Sequence, residues 1–516
     1  MINAVGRDVP DSAVVLGRKV ALRPYQGAFA TRPAQVAKTN TPRFTEPGRA
    51  KVIGSIQEAL DQVGLRDGMT ISFHHHLRLG DAVIETVLRE IAKRGVRDLT
   101  FTASGLHPVT ETLIACIREG VITRIHHGGM LKELGALVAQ GALKEPCVIR
   151  THGGRARAIE SGELPIDVAF VAAPTCDTYG NATGIDGPST CGALGYGIVD
   201  ARSARRVVVI TDNLVPYPLH RISIPQTTVD CIVTLDRLGD PSLIASGAIK
   251  RTKNPRDLLI ADQIGKVIEH SGLLKPGFSM QAGSGGISLA VTRKVTAIMR
   301  EKGIQGSFML GGITAVCVDL LKEGLFHTLL DVQSFDLEAA RSVGKTEGHV
   351  EIDSSFYANP HTAGCAVNMV DVAVLSALEV DSDFNVNVLT GFDGVIMTGP
   401  GGHSDTSAGS KLAIIGIPLV RNRVPCVVDH VGTVVTPGET VDVVVTEYGV
   451  AVNPRRTDLL NALEGSSLRL VDMRELVQKA RDIAGVPERP RFTKDIVALV
   501  EYRDGTIIDV VRKPDL

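Results

Sequence analysis

The chain has 516 residues, 44% hydrophobic and 22% charged, which excludes disorder as the main theme and fits two or more α/β domains. Its 55 Lys and Arg face 57 Asp and Glu, so bulk charge gives no reason to expect a nucleic-acid or anionic-membrane partner. With 53 Gly, 4% aromatics and no Trp, tight strand–helix turns are expected, not a β-sandwich. The 8 cysteines form no C-x-x-C pair and read as small buried apolar residues. No signal-peptide core or long apolar run is present, so a soluble cytoplasmic protein without a metal or membrane anchor is expected.

Residues 1–48 are polar and rich in Pro, and read as an extended arm lying on the body. From about Ala50, apolar runs such as Met69–Phe73, Val168–Ala172, Val207–Thr211 and Cys231–Leu235 alternate with amphipathic stretches such as Ala82–Lys93, Pro108–Arg118 and Met130–Ala139. Strands alternating with helices predict a mostly parallel sheet. A first domain over 49–254 and a second over 255–516 follow from the break at Asn254-Pro255. A repeat supports the division. Lys93-Arg94-Gly95 matches Glu301-Lys302-Gly303, and Arg118-Glu119-Gly120 matches Lys322-Glu323-Gly324, in the same order at a nearly constant offset. Two related α/β domains predict a site between them, at the carboxyl ends of strands.

In the first domain the turn His74-His75-His76-Leu77-Arg78 precedes Asp81, a helix N-cap candidate. On an extended chain His74 and His76 share a face. They and Arg78 are candidates for a substrate carboxylate, and no carboxylate or Cys stands at metal-ligand spacing. His126-His127 before Gly128-Gly129 reads the same way. In the second domain Gln281-Ala282-Gly283-Ser284-Gly285-Gly286 reads as a strand entering a helix N-terminus. Free N–H groups at Ser284, Gly285 and Gly286 could hold an oxyanion, although the same turn can be a bare connection. It has neither Walker A nor dinucleotide spacing. Further Gly pairs stand at Gly311-Gly312 and in Gly399-Pro400-Gly401-Gly402-His403. Glu447, ending the strand before Tyr448-Gly449, reads as structural more than catalytic. At the C-terminus Asp504-Gly505 between Ile496–Arg503 and Thr506–Val511 predicts a β-hairpin.

These residues give the chain a family resemblance. On Ser72-Phe73-His74-His75-His76-Leu77-Arg78, Met280-Gln281-Ala282-Gly283-Ser284-Gly285-Gly286 and Gly399–Asp405, it resembles the citrate lyase alpha-subunit family, the citrate CoA-transferase branch of the CoA-transferase superfamily. The resemblance covers essentially the whole chain. It implies two tandem Rossmann-like CoA-transferase domains with mostly parallel sheets, plus the N-terminal arm and the C-terminal hairpin. The implied reaction is acetyl–acyl carrier protein plus citrate giving citryl–acyl carrier protein plus acetate. The implied partners are an acyl carrier (gamma) subunit and a lyase (beta) subunit in a hetero-oligomer. The resemblance further implies that the chain itself binds no cofactor. The thioester arm, a CoA-like phosphoribosyl-dephospho-CoA group, comes with the carrier. On this footing Ser284, Gly285 and Gly286 hold the oxyanion; His74, His76, Arg78 and Gln281 bind citrate; and Gly311, Gly312, Gly401, Gly402 and His403 line the arm channel.

One departure stands out. Related CoA-transferases carry a Thr-Glu near the end of the strand after the Gly-turn helix, where the Glu forms a covalent thioester. The nearest match here places Gly306-Ser307 there, and no Glu lies between Glu301 and Glu323. A direct route through a mixed anhydride is then expected. A citramalate-specific homologue, a free acyl-CoA transferase or hydrolase, and a non-catalytic scaffold subunit remain the alternatives.

Overall fold

Two twisted sheets, of ten and eight strands, dominate the computed structural model, which describes residues 1–30, 50–105, 111–244, 252–283 and 285–515. In the first, after the short parallel edge strand Val52–Ile53, seven parallel strands follow in chain order: Thr70–Phe73, Leu99–Ala103, Ile122–His127, Cys147–Ile149, Val168–Ala172, Arg206–Thr211 and Cys231–Thr234. In the second they are Met280–Ala282, Gly306–Ile313, Phe326–Ser334, His349–Glu351, Val372–Ser376, Leu412–Gly416 and Val443–Val445. Both sheets run fourth, third, second, first, fifth, sixth, seventh in space. The short sheet of Thr175–Asp177, Ala182–Thr183 and Leu214–Val215 is likewise repeated by Glu379–Asp381, Val386–Asn387 and Val427–Val428. The architecture is the mixed α/β fold with mostly parallel sheets expected above.

In this order the strand sequence reverses beside the first strand of each half. Connections leave in opposite directions there and open a crevice beyond the carboxyl ends. The first of those strands runs into the segment His74–Gly80, and the second, Met280–Ala282, runs toward the helix Gly286–Lys302. The central strands Leu99–Ala103, Val168–Ala172 and Leu412–Gly416 are fully buried, as expected where helices cover both faces of a sheet. Phe73 stacks on Phe101 and on Phe170, each at 5.4 Å between ring centroids, which ties the three central strands together. Asp81 accepts from the N–H groups of Val83 (2.7 Å) and Ile84 (3.1 Å) and starts the helix Val83–Lys93. Asn254 caps Pro255–His270, with Pro255 in the first turn, where its missing N–H costs nothing. All eight cysteines are free and buried. Among the described residues no helix is long and apolar enough to cross a membrane.

Three expectations change. The C-terminal hairpin forms, from Phe492–Glu501 and Ile507–Pro514 around Gly505. It extends the first sheet, not the second: Ala498, Leu499 and Val500 pair in parallel with Cys147, Val148 and Ile149. This covers an edge strand that would otherwise expose unpaired backbone groups. The arm is more than an extended strap. Ser12–Val15 and Arg18–Ala21 form a hairpin of their own. Its partly buried Ala13 and Val15 pack on the cluster of Val9, Val148, Leu499, Ile507 and Val510. Asn3 gives its amide N–H to the carbonyls of Ile507 and Ile508, and Tyr25 packs edge-on against Tyr502. The arm's remaining residues, 31–48, lie outside the described residues. Finally, Gly306-Ser307 begins the strand Gly306–Ile313 instead of ending it.

The halves face each other through their carboxyl ends. Met130 N–H donates to Thr398 O (3.0 Å), His152 N–H to Gly401 O (2.8 Å), and the Gln333 amide to His75 O (2.9 Å). Buried Asp405 accepts from the Thr151 hydroxyl and the Gly153 N–H, both at 2.9 Å. Gly129 and Gly399 meet backbone to backbone. A Cβ on Gly129, whose φ is +141°, would stand 2.5 Å from Gly399 Cα.

Candidate active site

A cavity of about 420 Å³ lies in the crevice between the two first strands. The first half supplies His75, Arg78, His152 and Tyr196. The second supplies Gln281, Gly283, Gly312, Gln333, Phe335, Tyr357, Gly399, Gly401 and Gly402. A larger hollow of about 560 Å³ lies between the arm, the C-terminal hairpin and the short second-half sheet. There Arg7, Arg481 and Arg489 are already paired with Asp509, Asp429 and Glu379.

Arg78 is the permanent charge of the crevice. It has a left-handed backbone, φ +52°, and its guanidinium lies 4.6 Å over the Phe335 ring from the other half. Among the described residues no carboxylate is within ion-pair distance of it. A non-Gly residue held in that conformation, with an unpaired cation clamped on an aromatic face, points to a ligand anion. The imidazoles add no charge. Burial pushes His75 and His76 well below the ordinary histidine range and lowers His152 to about 4. The helices His152–Glu160, Gly195–Ser203 and Gly286–Lys302 also begin at or beside the cavity, and their positive ends favour negative charge there.

The neutral groups are held from behind. His75 Nδ1 lies 2.7 Å from Ser104 Oγ. The Tyr196 ring sits among three imidazoles, with centroids 4.8 Å from His75, 5.2 Å from His76 and 4.6 Å from His152. Gln281 Nε2 donates to the Tyr357 hydroxyl at 2.9 Å. No Asp, Glu, Cys or Lys lines the cavity among the described residues. Nearby Asp331 is turned into the core, where it holds His349 Nε2 (3.0 Å) and the Ser334 hydroxyl (2.6 Å).

Of the residues expected from sequence, Arg78, Gln281, Gly312, Gly401 and Gly402 line this cavity. His74 and His76 do share a face, but it is the inner one. His74 Nε2 accepts from Ala172 N–H (3.0 Å) and His76 Nε2 from Tyr196 N–H (3.2 Å), so both are structural, and His75 between them turns outward. His126 also faces inward, with Nδ1 2.7 Å from Arg150 Nη1. His403 is buried, with Nδ1 2.7 Å from Thr436 Oγ1 and Nε2 3.1 Å from Ser376 O, and does not line the channel. Gly311 lies behind Gly312, against the Gln281 side chain. Gly283 reaches the cavity, whereas Gly285 caps the helix at an exposed position and Gly286 is its first residue. Ser284 lies outside the described residues. Glu447 anchors Leu419 N–H at 3.0 Å, a structural role.

Sequence reasoning missed His75, His152, Tyr196, Gln333, Phe335 and Tyr357. Two of them had a usable signal. Thr151 is a helix N-cap directly before His152, and Tyr196 follows the Gly195 that opens a helix. Tyr357 had none.

The buried imidazoles predict acid instability. His74, His152 and His403 are lowered to about 4 by burial, against an unfolded value near 6.5. Each favours folding fully above pH ~6.5, and that contribution, about 3 kcal/mol, is lost as pH falls toward about 4. The melting temperature should therefore drop steeply across that window. His403→Asn, away from the cavity, should flatten the drop; an unchanged slope by calorimetry would contradict it.

The pattern of the family "Citrate lyase, alpha subunit (CitF)" matches residues 49–514. The chain is 49% identical over 492 residues to the citrate lyase alpha chain of Klebsiella pneumoniae, covering 95% of this chain and 96% of that one. It is 48% identical over 486 residues to the citrate lyase alpha chain of Escherichia coli K12, 94% of each. It is also similar to the crystal structure of the alpha subunit of citrate lyase from Streptococcus mutans in complex with citrate. That match has a TM-score of 0.95 and 47% identity, and covers 99% of both chains.

Proposed function

The chain belongs to the citrate lyase alpha-subunit family, and from that premise we propose that its cavity exchanges acetate for citrate on the thioester of an acyl carrier protein. The observation that carries the reading is the composition of the crevice: one unpaired cation, neutral hydrogen-bonding groups, and no carboxylate among the described lining residues. Arg78 holds one carboxylate of citrate by charge-assisted hydrogen bonds. The solved relative from Streptococcus mutans contains citrate, which supports a citrate site here. Gly283, Gly312, Gly401 and Gly402 leave a wall without side chains, along which a thin thioester arm on the carrier subunit can lie.

The exchange needs no acyl-enzyme. A carboxylate oxygen of citrate bonds to the acetyl carbonyl carbon, whose π pair moves to oxygen. The pair returns as the C–S bond breaks, leaving the arm thiolate and a mixed acetyl–citryl anhydride. The thiolate then attacks the citryl carbonyl, and acetate departs with the bridging oxygen. No proton is gained or lost, so orientation and oxyanion stabilisation carry the catalysis. The citryl carrier passes to a separate lyase subunit, in a cytoplasmic complex of several subunits.

The test incubates the chain with acetyl-loaded carrier and labelled citrate and follows the carrier's mass. Citryl-carrier is the expected product. Carrier binding without exchange would favour a scaffold subunit, and exchange with citramalate alone would move the specificity. Borohydride or hydroxylamine trapping during turnover should recover the chain with no modified Glu. A trapped glutamyl adduct would overturn the direct route.

A further inference from the structure

Tyr357 sits in the short helix Ser354–Ala358, whose start is fixed by Asp353 accepting from Phe356 N–H (2.7 Å). The residue is 2% exposed and its ring reaches the cavity wall. Its hydroxyl oxygen accepts from Gln281 Nε2 at 2.9 Å. An amide nitrogen has only hydrogens to give, so the phenol keeps its own hydrogen for another acceptor. Among the described residues no acceptor is within hydrogen-bond distance of it, and Tyr357 lines the cavity beside Gly402. Tyr196 approaches from the other half, and its hydroxyl likewise has no partner among the described residues. Burial raises both phenols above the ordinary tyrosine range, so both keep their hydrogens at neutral pH.

We propose that Tyr357, oriented by Gln281, is a catalytic residue that donates its hydroxyl hydrogen bond to the thioester carbonyl oxygen as that oxygen becomes an oxyanion, with Tyr196 as the donor from the opposite wall. This rests on the acyl-exchange reading above. The division of labour follows from charge. The full negative charge of citrate is matched by the Arg78 cation, while a charge that exists only in the transition state is met by neutral, fixed dipoles. The hydrogen stays on the phenol throughout. The carbonyl π pair moves onto oxygen as the new C–O bond forms and returns as the thiolate leaves.

The test compares wild type, Tyr357→Phe and Gln281→Met in the carrier exchange assay. Tyr357→Phe should lower kcat about 100-fold, with KM for citrate within about threefold of wild type and melting unchanged. Gln281→Met keeps the phenol but frees its orientation, and should lower kcat by about tenfold. As a second readout, the infrared carbonyl stretch of bound ¹³C-acetyl-pantetheine should lie at lower wavenumber in wild type than in Tyr357→Phe. Equal stretches, or an active wild type with Tyr357→Phe within about threefold of it, would overturn the assignment. So would a Gln281→Met variant that loses activity while Tyr357→Phe keeps it, because the amide would then be the donor. No exchange by wild type would overturn the acyl-exchange reading itself, and this proposal with it.

Discussion

Replacing Arg78 with Gly should lower kcat/KM for citrate by about 100-fold or more, the equivalent of roughly 3 kcal/mol of lost charge-assisted binding. Gly is the informative replacement. Arg78 stands at φ +52°, a conformation that Gly adopts freely, so the variant removes the guanidinium without straining the turn. The loss should fall on citrate and leave carrier binding intact, because Arg78 is the permanent charge of the cavity. Arg78→Lys should recover part of the rate but not all, since an ammonium cannot make the bidentate contact or stack on Phe335 as a planar guanidinium does. Steady-state kinetics against citrate at fixed acetyl-carrier checks this. An Arg78→Gly enzyme within about threefold of wild type would remove Arg78 from the citrate site.

Gly399→Ala should destabilise the chain by about 2–4 kcal/mol and abolish exchange. A Cβ at that position would meet Gly129 Cα and Gly128 O, and backbone atoms of the other half cannot rotate aside as a side chain could. The halves would separate at the rim of the cavity, and Gly399 itself lines it. Gly364→Ala is the control. It has nothing within 4 Å of the added atom, and its melting temperature should match wild type. Differential scanning calorimetry reads both. Equal melting of the two variants would show that the Gly129–Gly399 contact gives way at little cost.

The same contact recasts the Gly-rich segments. From sequence, Gly399–Gly402 reads as a wall for a long ligand. In the structure it is also a joint: Thr398 O accepts from Met130 N–H and Gly401 O from His152 N–H. Chain-local signals show that glycine lets a backbone come close, but not what comes close to it.

By itself the sequence determined what local chemistry determines. Alternating apolar runs and amphipathic stretches specified parallel α/β layers, because a strand covered on both faces and a helix covered on one leave different periodicities. The short repeats revealed the duplication, Asp504-Gly505 the hairpin, and Asp81 the helix start. Together the motifs identified the family. Arg78, Gln281 and the Gly401-Gly402 wall were legible because each stands within a few residues of a helix start, inside a Gly- or His-rich motif. Tertiary structure alone decided the rest. Period-two alternation puts His74 and His76 on one face, but whether that face is core or cavity depends on the helix at Tyr196 and the strand at Ala172, each about a hundred residues away or more. Tyr357, in a short helix, becomes a hydrogen-bond donor only because Gln281, on a strand 76 residues earlier, occupies its oxygen. The hairpin pairs with the edge strand Cys147–Ile149 of the first sheet, although the equivalent strand His349–Glu351 of the second sheet is an edge as well, and nothing local to the hairpin distinguishes the two. In each case the deciding partner is distant along the chain, and burial and hydrogen bonding are set by what the fold brings into contact.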